Sequence, residues 1–285
     1  MPWILFIILF IVARSAEYLY TKKLLKNDSP LVFSFIRTIF GLGFVIIMSF
    51  FIDLTIDIIS LLLIFLISLF ATAGVYYRNK SFQKFEVSYV TPMLNLIPFF
   101  VFIFALIFLG DSLTLFKAIG ILLVTLSLYA LNLSKEKNLL SPFIDFIKHK
   151  KFLVILPIIF FSVTAILDKY TLFSVNPLTF IFYLSIFFTI NFLILITFTK
   201  KIPQVKKSIS LNFKHYLIIG ALLIISQVGQ YYATSLKEIS LVNPLLMSSS
   251  LVVIMFSGKI FNETNIPRKL FSTTILIIGI ILILT

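Results

Sequence analysis

Ten long apolar stretches, about 2–21, 31–52, 58–77, 86–109, 113–133, 152–173, 177–199, 215–235, 239–261 and 267–285, alternate along the chain with short polar segments. A helix crossing the hydrocarbon core of a bilayer needs about 20 apolar residues, and each stretch is near that length. Each is therefore expected to be a transmembrane helix. No interval between them could house a soluble domain; the longest, around 134–151, is a basic linker at the midpoint. Five spans lie on each side of it. The predicted fold class is an all-α polytopic membrane protein with ten transmembrane helices.

The polar positions that punctuate these spans recur. Glu86-Val87-Ser88-Tyr89-Val90-Thr91-Pro92 opens span four, whose apolar run ends at Gly110-Asp111-Ser112. Glu238-Ile239-Ser240-Leu241-Val242-Asn243-Pro244 opens span nine, which ends at Asn262-Glu263-Thr264; Glu86, Pro92 and Asp111 map onto Glu238, Pro244 and Glu263 at one shift of 152. Ser29-Pro30-Leu31 likewise maps onto Asn176-Pro177-Leu178 at a shift of 147. Self-similarity at fixed spacing predicts a duplicated unit, residues 1–137 and 138–285. Five spans per unit, an odd number, set the copies upside down relative to each other, a plan common among secondary transporters. Ser29 and Asn176 are expected N-caps, with Pro30 and Pro177 in the first turn of spans two and seven. The apolar start, followed by Ala13-Arg14-Ser15-Ala16, has some features of a signal peptide. It lacks the basic leading region and has a repeat partner in span six, so a retained helix is expected.

Composition sharpens this picture. The chain is 60% hydrophobic and 12% charged, with a mean hydropathy of +1.12, where soluble chains average about 45–50% apolar and about 25% charged. A net charge of +13 would suggest nucleic acid in a soluble protein. Here the basic residues cluster between spans: 19 of the 24 Lys and Arg fall in odd-numbered loops and three, Lys117, Lys169 and Lys237, in even ones. That bias places the odd loops in the cytoplasm and both termini outside. Nucleic acid is not an expected partner. There is no cysteine, and the two histidines, His149 and His215, lie in Lys-rich loops. No metal site, no cofactor and no enzyme activity are expected.

With these motifs in place, the chain resembles the drug/metabolite transporter (DMT) superfamily, specifically its ten-helix EamA-type transporters. The likeness rests on the two Ser-x-x-x-Pro copies opening spans four and nine, on the carboxylates Asp111 and Glu263 that close them, and on Ser29-Pro30 followed by Arg37. The resemblance implies a helical bundle around a central cavity, spans five and ten at its periphery, and alternating access for small organic solutes. It departs from the family in having Asp111 where Glu is usual and Asn262 where Gly is expected. Family members generally keep both termini in the cytoplasm, against the charge count; the loop 53–57, usually basic in the family, is acidic here through Asp53 and Asp57.

Ionisable groups inside a span cost about 2.5–3.5 kcal/mol on insertion scales and are functional candidates by default. Three stand out: Arg14, Glu17 and Arg37. Arg14 and Glu17 are three apart on one helical face. Glu17 and Arg37 each lie seven residues from the short loop joining spans one and two, so they can share one depth, on the order of 10 Å in at 1.5 Å per residue. Two readings stand: an anion site in which an Arg grips a carboxylate or phosphate, or an ion pair locking two helices. Asn95, Gln227 and Gln230 are in-span polar residues that can contact a solute or bond neighbouring helices; Asn191 belongs with them. Tyr231 is a further solute contact, although Tyr76, Tyr77, Tyr231 and Tyr232 together read first as an interfacial belt. Pro92, Pro98, Pro157 and Pro244 are candidate kinks. Asp111, Glu263, Glu86 and Glu238 read as helix caps, and Asp168 with Lys169 as a solvated surface pair.

The expected function is transport of small organic metabolites across the cytoplasmic membrane, leaning to amino-acid-like, anionic or zwitterionic solutes because two Arg outnumber one Glu. A multidrug or cation exporter, a flippase for lipid-linked sugars and a non-transporting scaffold are the alternatives. Solute and membrane lipid are the expected partners, with a homodimer left open.

Overall fold

The computed structural model describes residues 2–24, 28–85, 90, 93–111, 114–131, 152–249, 252 and 274–282. Among these the regular structure is helical: α1 (Pro2–Leu24), α2 (Pro30–Ser49), α3 (Ile58–Lys84), α4 (Ile97–Phe108), α5 (Leu115–Leu131), α6 (Ile155–Thr171), α7 (Pro177–Phe198), α8 (Ile202–Leu236), α9 (Ile239–Met247) and α10 (274–282). Each falls within or around one predicted span. The chain is an all-α polytopic membrane protein.

Local chemistry explains where the helices begin. At α2 the Ser29 hydroxyl accepts from the Val32 amide, and at α7 the Asn176 carboxamide oxygen accepts from the Leu178 amide at 2.9 Å. Pro follows each cap, at a position where its missing N–H leaves no unmade bond. Both copies of the repeat thus start this helix by the same device. At α3 the Asp57 carboxylate accepts from the Ser60 amide at 2.8 Å. Asp57 lies in the exposed 50–57 loop, and bonds from Ser60 hold its carboxyl below the usual carboxylate range; the amide and hydroxyl of Thr55 do the same for Asp53.

Two elements differ from expectation. Span four is not continuous: Asn95 and Leu96 form a turn, and α4 starts at Ile97 with Pro98 in its first turn. Proline donates no amide hydrogen and its ring clashes with the carbonyl four residues back, so the helix restarts there. The segment expected to be a loop before residue 215 is instead the first part of α8, a 35-residue helix with non-helical backbone at Asn212 (φ −130°, ψ 24°). Val205 and Ser208 are buried while Gln204, Lys206 and Lys207 are exposed, an amphipathic pattern suited to an interface before the chain turns into its span. Asp28 ties the two parts: its Oδ2 accepts from Ser208 Oγ and from Tyr216 Oη, both at 2.6 Å. Glu86, Pro92 and Glu263 lie outside the described residues, as does most of span nine beyond α9.

The chain forms two compact units, one of Met1–Thr72 with Leu167–Leu236 and the other of Ala73–Ile166 with Lys237–Thr285. Each unit therefore draws on both sequence halves. In the first unit α1 packs along α8, α2 packs on α7 and α8, and α7 packs on α8. Its core includes Val45, Ile64, Ile67, Phe180, Leu223 and Ile224. Asn191 Nδ2 donates to Ser68 Oγ at 2.9 Å, bonding α7 to α3. In the second unit α9 packs on α4 and α5, and α4 on α5, around Val101, Ala105, Ile158 and Ile166. Outward apolar side chains such as Leu5, Val12, Ile47 and Phe198 are exposed and suit a lipid-facing surface.

No Gly-x-x-x-Gly motif is present, yet one glycine governs the α1–α8 crossing. A Cβ at Gly229 would stand 2.6 Å from the Phe6 carbonyl oxygen and 2.7 Å from the Phe10 nitrogen. Backbone cannot retreat as a flexible side chain can. Gly229→Ala is expected to lower stability by about 1–3 kcal/mol, read as thermal unfolding in detergent. Gly43→Ala, where a Cβ meets nothing within 4 Å, is the control and should unfold like the parent.

Candidate functional site

Helix α1 carries Arg14 and Glu17 one turn apart, and the short connection to α2 brings Arg37 to their depth. Arg14 Nη1 donates to Glu17 Oε2 at 2.7 Å. Arg37 Nε stands 3.1 Å from Glu17 Oε1 without hydrogen-bond alignment, so this second contact is an ion pair. Glu17 is 2% exposed. A carboxylate buried that deeply needs counter-charge, since a lone buried ion costs several kcal/mol. The side chain of Arg37 is 17% exposed and that of Arg14 30%. The triad carries two positive charges and one negative. Among the described residues the terminal nitrogens of Arg37 make no hydrogen bond, which leaves its planar fork open to an acceptor.

Tyr231, on α8 of the same unit, is buried at 6% exposure with its ring edge-on to Phe180 at 4.7 Å. It is not part of an interfacial belt. It lies within electrostatic reach of both Arg14 and Asp168. On the same helix, Gln227 Oε1 is buried without a hydrogen-bond partner, and Gln230, three residues on, is half-buried. Arg14, Glu17, Arg37, Gln227, Gln230 and Tyr231 are thus in one unit, with the triad in direct contact.

Asp168 and Lys169 correct the surface-pair expectation. They are 5% and 6% exposed. Lys169 Nζ donates to the Thr234 and Ser235 carbonyls at 2.8 and 3.3 Å and lies 4.9 Å from the Phe173 ring. Carbonyls at a helix end lack intrahelical partners and attract a cation, which draws Lys169 inward to the end of α8. Asp168 does not follow it: its Oδ1 is buried with no hydrogen-bond partner. A signal for this burial was present in the sequence. Thr164, Ala165, Asp168, Thr171 and Leu172 follow helical spacing and are all buried, so Asp168 belongs to an inward stripe.

The remaining candidates belong to the second unit. Asn95 Nδ2 donates to the Leu128 carbonyl at 2.8 Å, tying span four to span five. Among the described residues Asp111 makes no cap bond to span five, where Thr114 Oγ1 accepts from the Lys117 amide. It addresses α9 instead: Asp111 Oδ2 accepts from the Ser240 amide at 3.2 Å and from the Ser240 hydroxyl at 2.6 Å. Gly110, with φ +64°, reverses the chain at the end of α4, a conformation that favours glycine, and Asp111 follows it. Glu238 stands at the N-cap of α9 but forms no side-chain cap bond; it pairs with Lys117 at 3.3 Å. Pro244 lies within α9 and is buried with its neighbours. Tyr77 stacks on Phe160, and Tyr76 lies beside Lys80.

A cavity of about 720 Å³ opens in the first unit between the 50–57 loop and residues 174–179, lined by Asp53, Thr55, Asp57, Ser174 and Asn176 among others. It contains no member of the triad. Its two carboxylates already accept from Thr55 and Ser60.

The EamA-like transporter family profile matches residues 1–133 and 150–285, one match in each half. No curated protein matches the chain. A solved structure, described only as a crystal structure of a protein, is similar over 99% of this chain and 96% of its own, with TM-score 0.69 and 12% identity. At that identity the likeness concerns the fold alone.

The triad generates a stability prediction. Removing one partner of a buried ion pair costs about 3–5 kcal/mol, so Glu17→Gln should lower the unfolding midpoint more than Gly229→Ala. Coupled sites are non-additive by about 0.5–3 kcal/mol; Glu17→Gln with Arg37→Met should therefore lose less than the two single losses combined. Additive losses in urea or thermal unfolding would show that the two side chains do not support each other.

Proposed function

Because the chain belongs to the EamA-like transporter family of the DMT superfamily, we propose that it moves small anionic or zwitterionic organic solutes, amino acids among them, across the cytoplasmic membrane by alternating access. In this reading the five-helix repeats are 1–137 and 138–285, and each compact unit draws helices from both. The observation that carries it is the open fork of Arg37. Its Nε is paired with Glu17 while its terminal nitrogens make no hydrogen bond among the described residues, and a carboxylate or phosphate accepts two parallel N–H bonds from such a fork. The net positive charge of the triad favours the same class of solute. Gln227, with a buried carbonyl oxygen lacking a donor, supplies an acceptor for an N–H or O–H group elsewhere on the solute. Tyr231 and Gln230 complete the proposed contacts on α8. Glu17 is held by two Arg residues, which argues against it as the carrier of a cationic drug.

The test is counterflow in proteoliposomes preloaded with amino acids and supplied outside with an isotope-labelled amino-acid mixture. A hydrogen bond to a charged group contributes about 1.5–3 kcal/mol, so Arg37→Gln should cut initial exchange by about tenfold or more. Arg37→Lys should restore little, because a point charge does not reproduce a planar fork. Undiminished exchange by a folded Arg37→Gln protein would remove Arg37 from the transport path.

A further inference from the structure

The first unit holds a second buried carboxyl group that the triad does not use. Asp168 sits on α6, is 5% exposed, and its Oδ1 has no hydrogen-bond partner. Its sequence neighbour Lys169 is committed to the carbonyls of Thr234 and Ser235. Glu17 already has two Arg partners. Asp168 therefore has no ion-pair partner among the described residues.

We infer that Asp168 is the proton-binding site of this transporter, and that its loading is linked to occupancy of the Arg14–Glu17–Arg37 site on the same unit. This rests on the transport reading above. The physical argument is selection by size and charge. An unpaired ionised carboxylate in low dielectric is costly, whereas the neutral acid is not. At 5% exposure the group is closed to an organic cation but open to a proton passed along by water as the helices move. In one state Asp168 takes a proton from water on one side and becomes the neutral acid. In the other state it returns that proton to water on the opposite side and becomes the carboxylate, and no other bond is made or broken.

The surrounding groups make the linkage physical. Tyr231 on α8 is the titratable group nearest in effect to Asp168, Lys169 follows it on α6, and Arg14, which pairs with Glu17 and through it with Arg37, acts on the same Tyr231. Tyr231 lies within electrostatic reach of both Asp168 and Arg14, so it senses both sites. An anionic solute arriving at the Arg residues adds negative charge to the unit. That makes a second negative charge at Asp168 harder to hold, so solute and proton favour each other. Transport then proceeds with the two moving together, and an imposed pH gradient accumulates solute.

Two measurements test this, one of them independent of any solute. Infrared difference spectra of the reconstituted protein across a pH titration should show the band of a protonated carboxyl that titrates. The band should persist in Arg37→Gln and vanish in Asp168→Asn. Spectra identical in parent and Asp168→Asn would overturn the proposal. In proteoliposomes, parent protein should accumulate the labelled amino-acid mixture under an imposed pH gradient. Asp168→Asn should keep gradient-free exchange and lose accumulation, while Asp168→Glu, which restores a titratable group, should regain part of it. Accumulation by a folded Asp168→Asn protein at the parental level would equally sink the idea. Failure of the transport reading has a different signature, since parent protein would then move no solute at any pH while the infrared titration remained readable.

Discussion

The burial of Glu17 constrains everything around it. A carboxylate that is 2% exposed inside a bilayer-spanning unit is tenable only with opposite charge within contact distance. Arg14 and Arg37 supply that charge from two helices, at 2.7 and 3.1 Å. The arrangement fixes the register of α1 against α2, because sliding either helix by one turn would separate the charges by about 5.4 Å. It also leaves a surplus of one positive charge, with 17% of the Arg37 side chain and 30% of the Arg14 side chain exposed. A purely structural ion pair needs one Arg; two, with one held only through Nε, is more than neutralising Glu17 requires.

The second unit orders itself differently. Its key contacts gather at the start of α9. Asp111, after α4, places a carboxylate at the positive end of α9, and Lys117, in the first turn of α5, reaches Glu238 two residues before Ser240. An acidic side chain at a helix N-terminus is favourable through both the dipole and the free amides. Here it is supplied by a residue 129 positions away, so a local cap becomes a tertiary clamp between the two sequence copies. Asp111 fastens the end of one helix to the start of another, which sequence spacing alone could not distinguish from an ordinary cap.

The fold was legible because membrane physics leaves few options. About 20 apolar residues between basic segments specify a helix, and Ser29-Pro30 with Asn176-Pro177 marks two of its starts to the residue. The site was legible in part. Seven residues to each side of a short loop put Glu17 and Arg37 at one depth, and α1 and α2 do bring them into contact. What was not legible has a common cause. Asp168 and Lys169 sit near a span end, where polarity suggests water, but burial depends on what packs against them; the end of α8 was the deciding partner. Tyr231 was read as an interfacial ring for the same reason. The break at Asn95 depends on whether the span bends before Pro98 or is pulled straight, and the extension of α8 on an interface the hydropathy count treats as loop.

Glu17 and Asp168 are the same functional group in one unit at nearly the same burial, 2% and 5%. They differ in company. Glu17 cannot readily change charge, because losing it would leave two Arg residues facing each other. Asp168 has no such obligation, since no hydrogen bond or ion pair among the described residues depends on its charge. Pairs of ionisable groups whose surroundings drive them apart mark a division of roles. The helices bring this difference about by placing both Arg residues on α1 and α2, against Glu17, and directing Lys169 to the carbonyls of Thr234 and Ser235. Had Lys169 turned toward Asp168, both buried carboxyl groups among the unit's described residues would be locked in ion pairs.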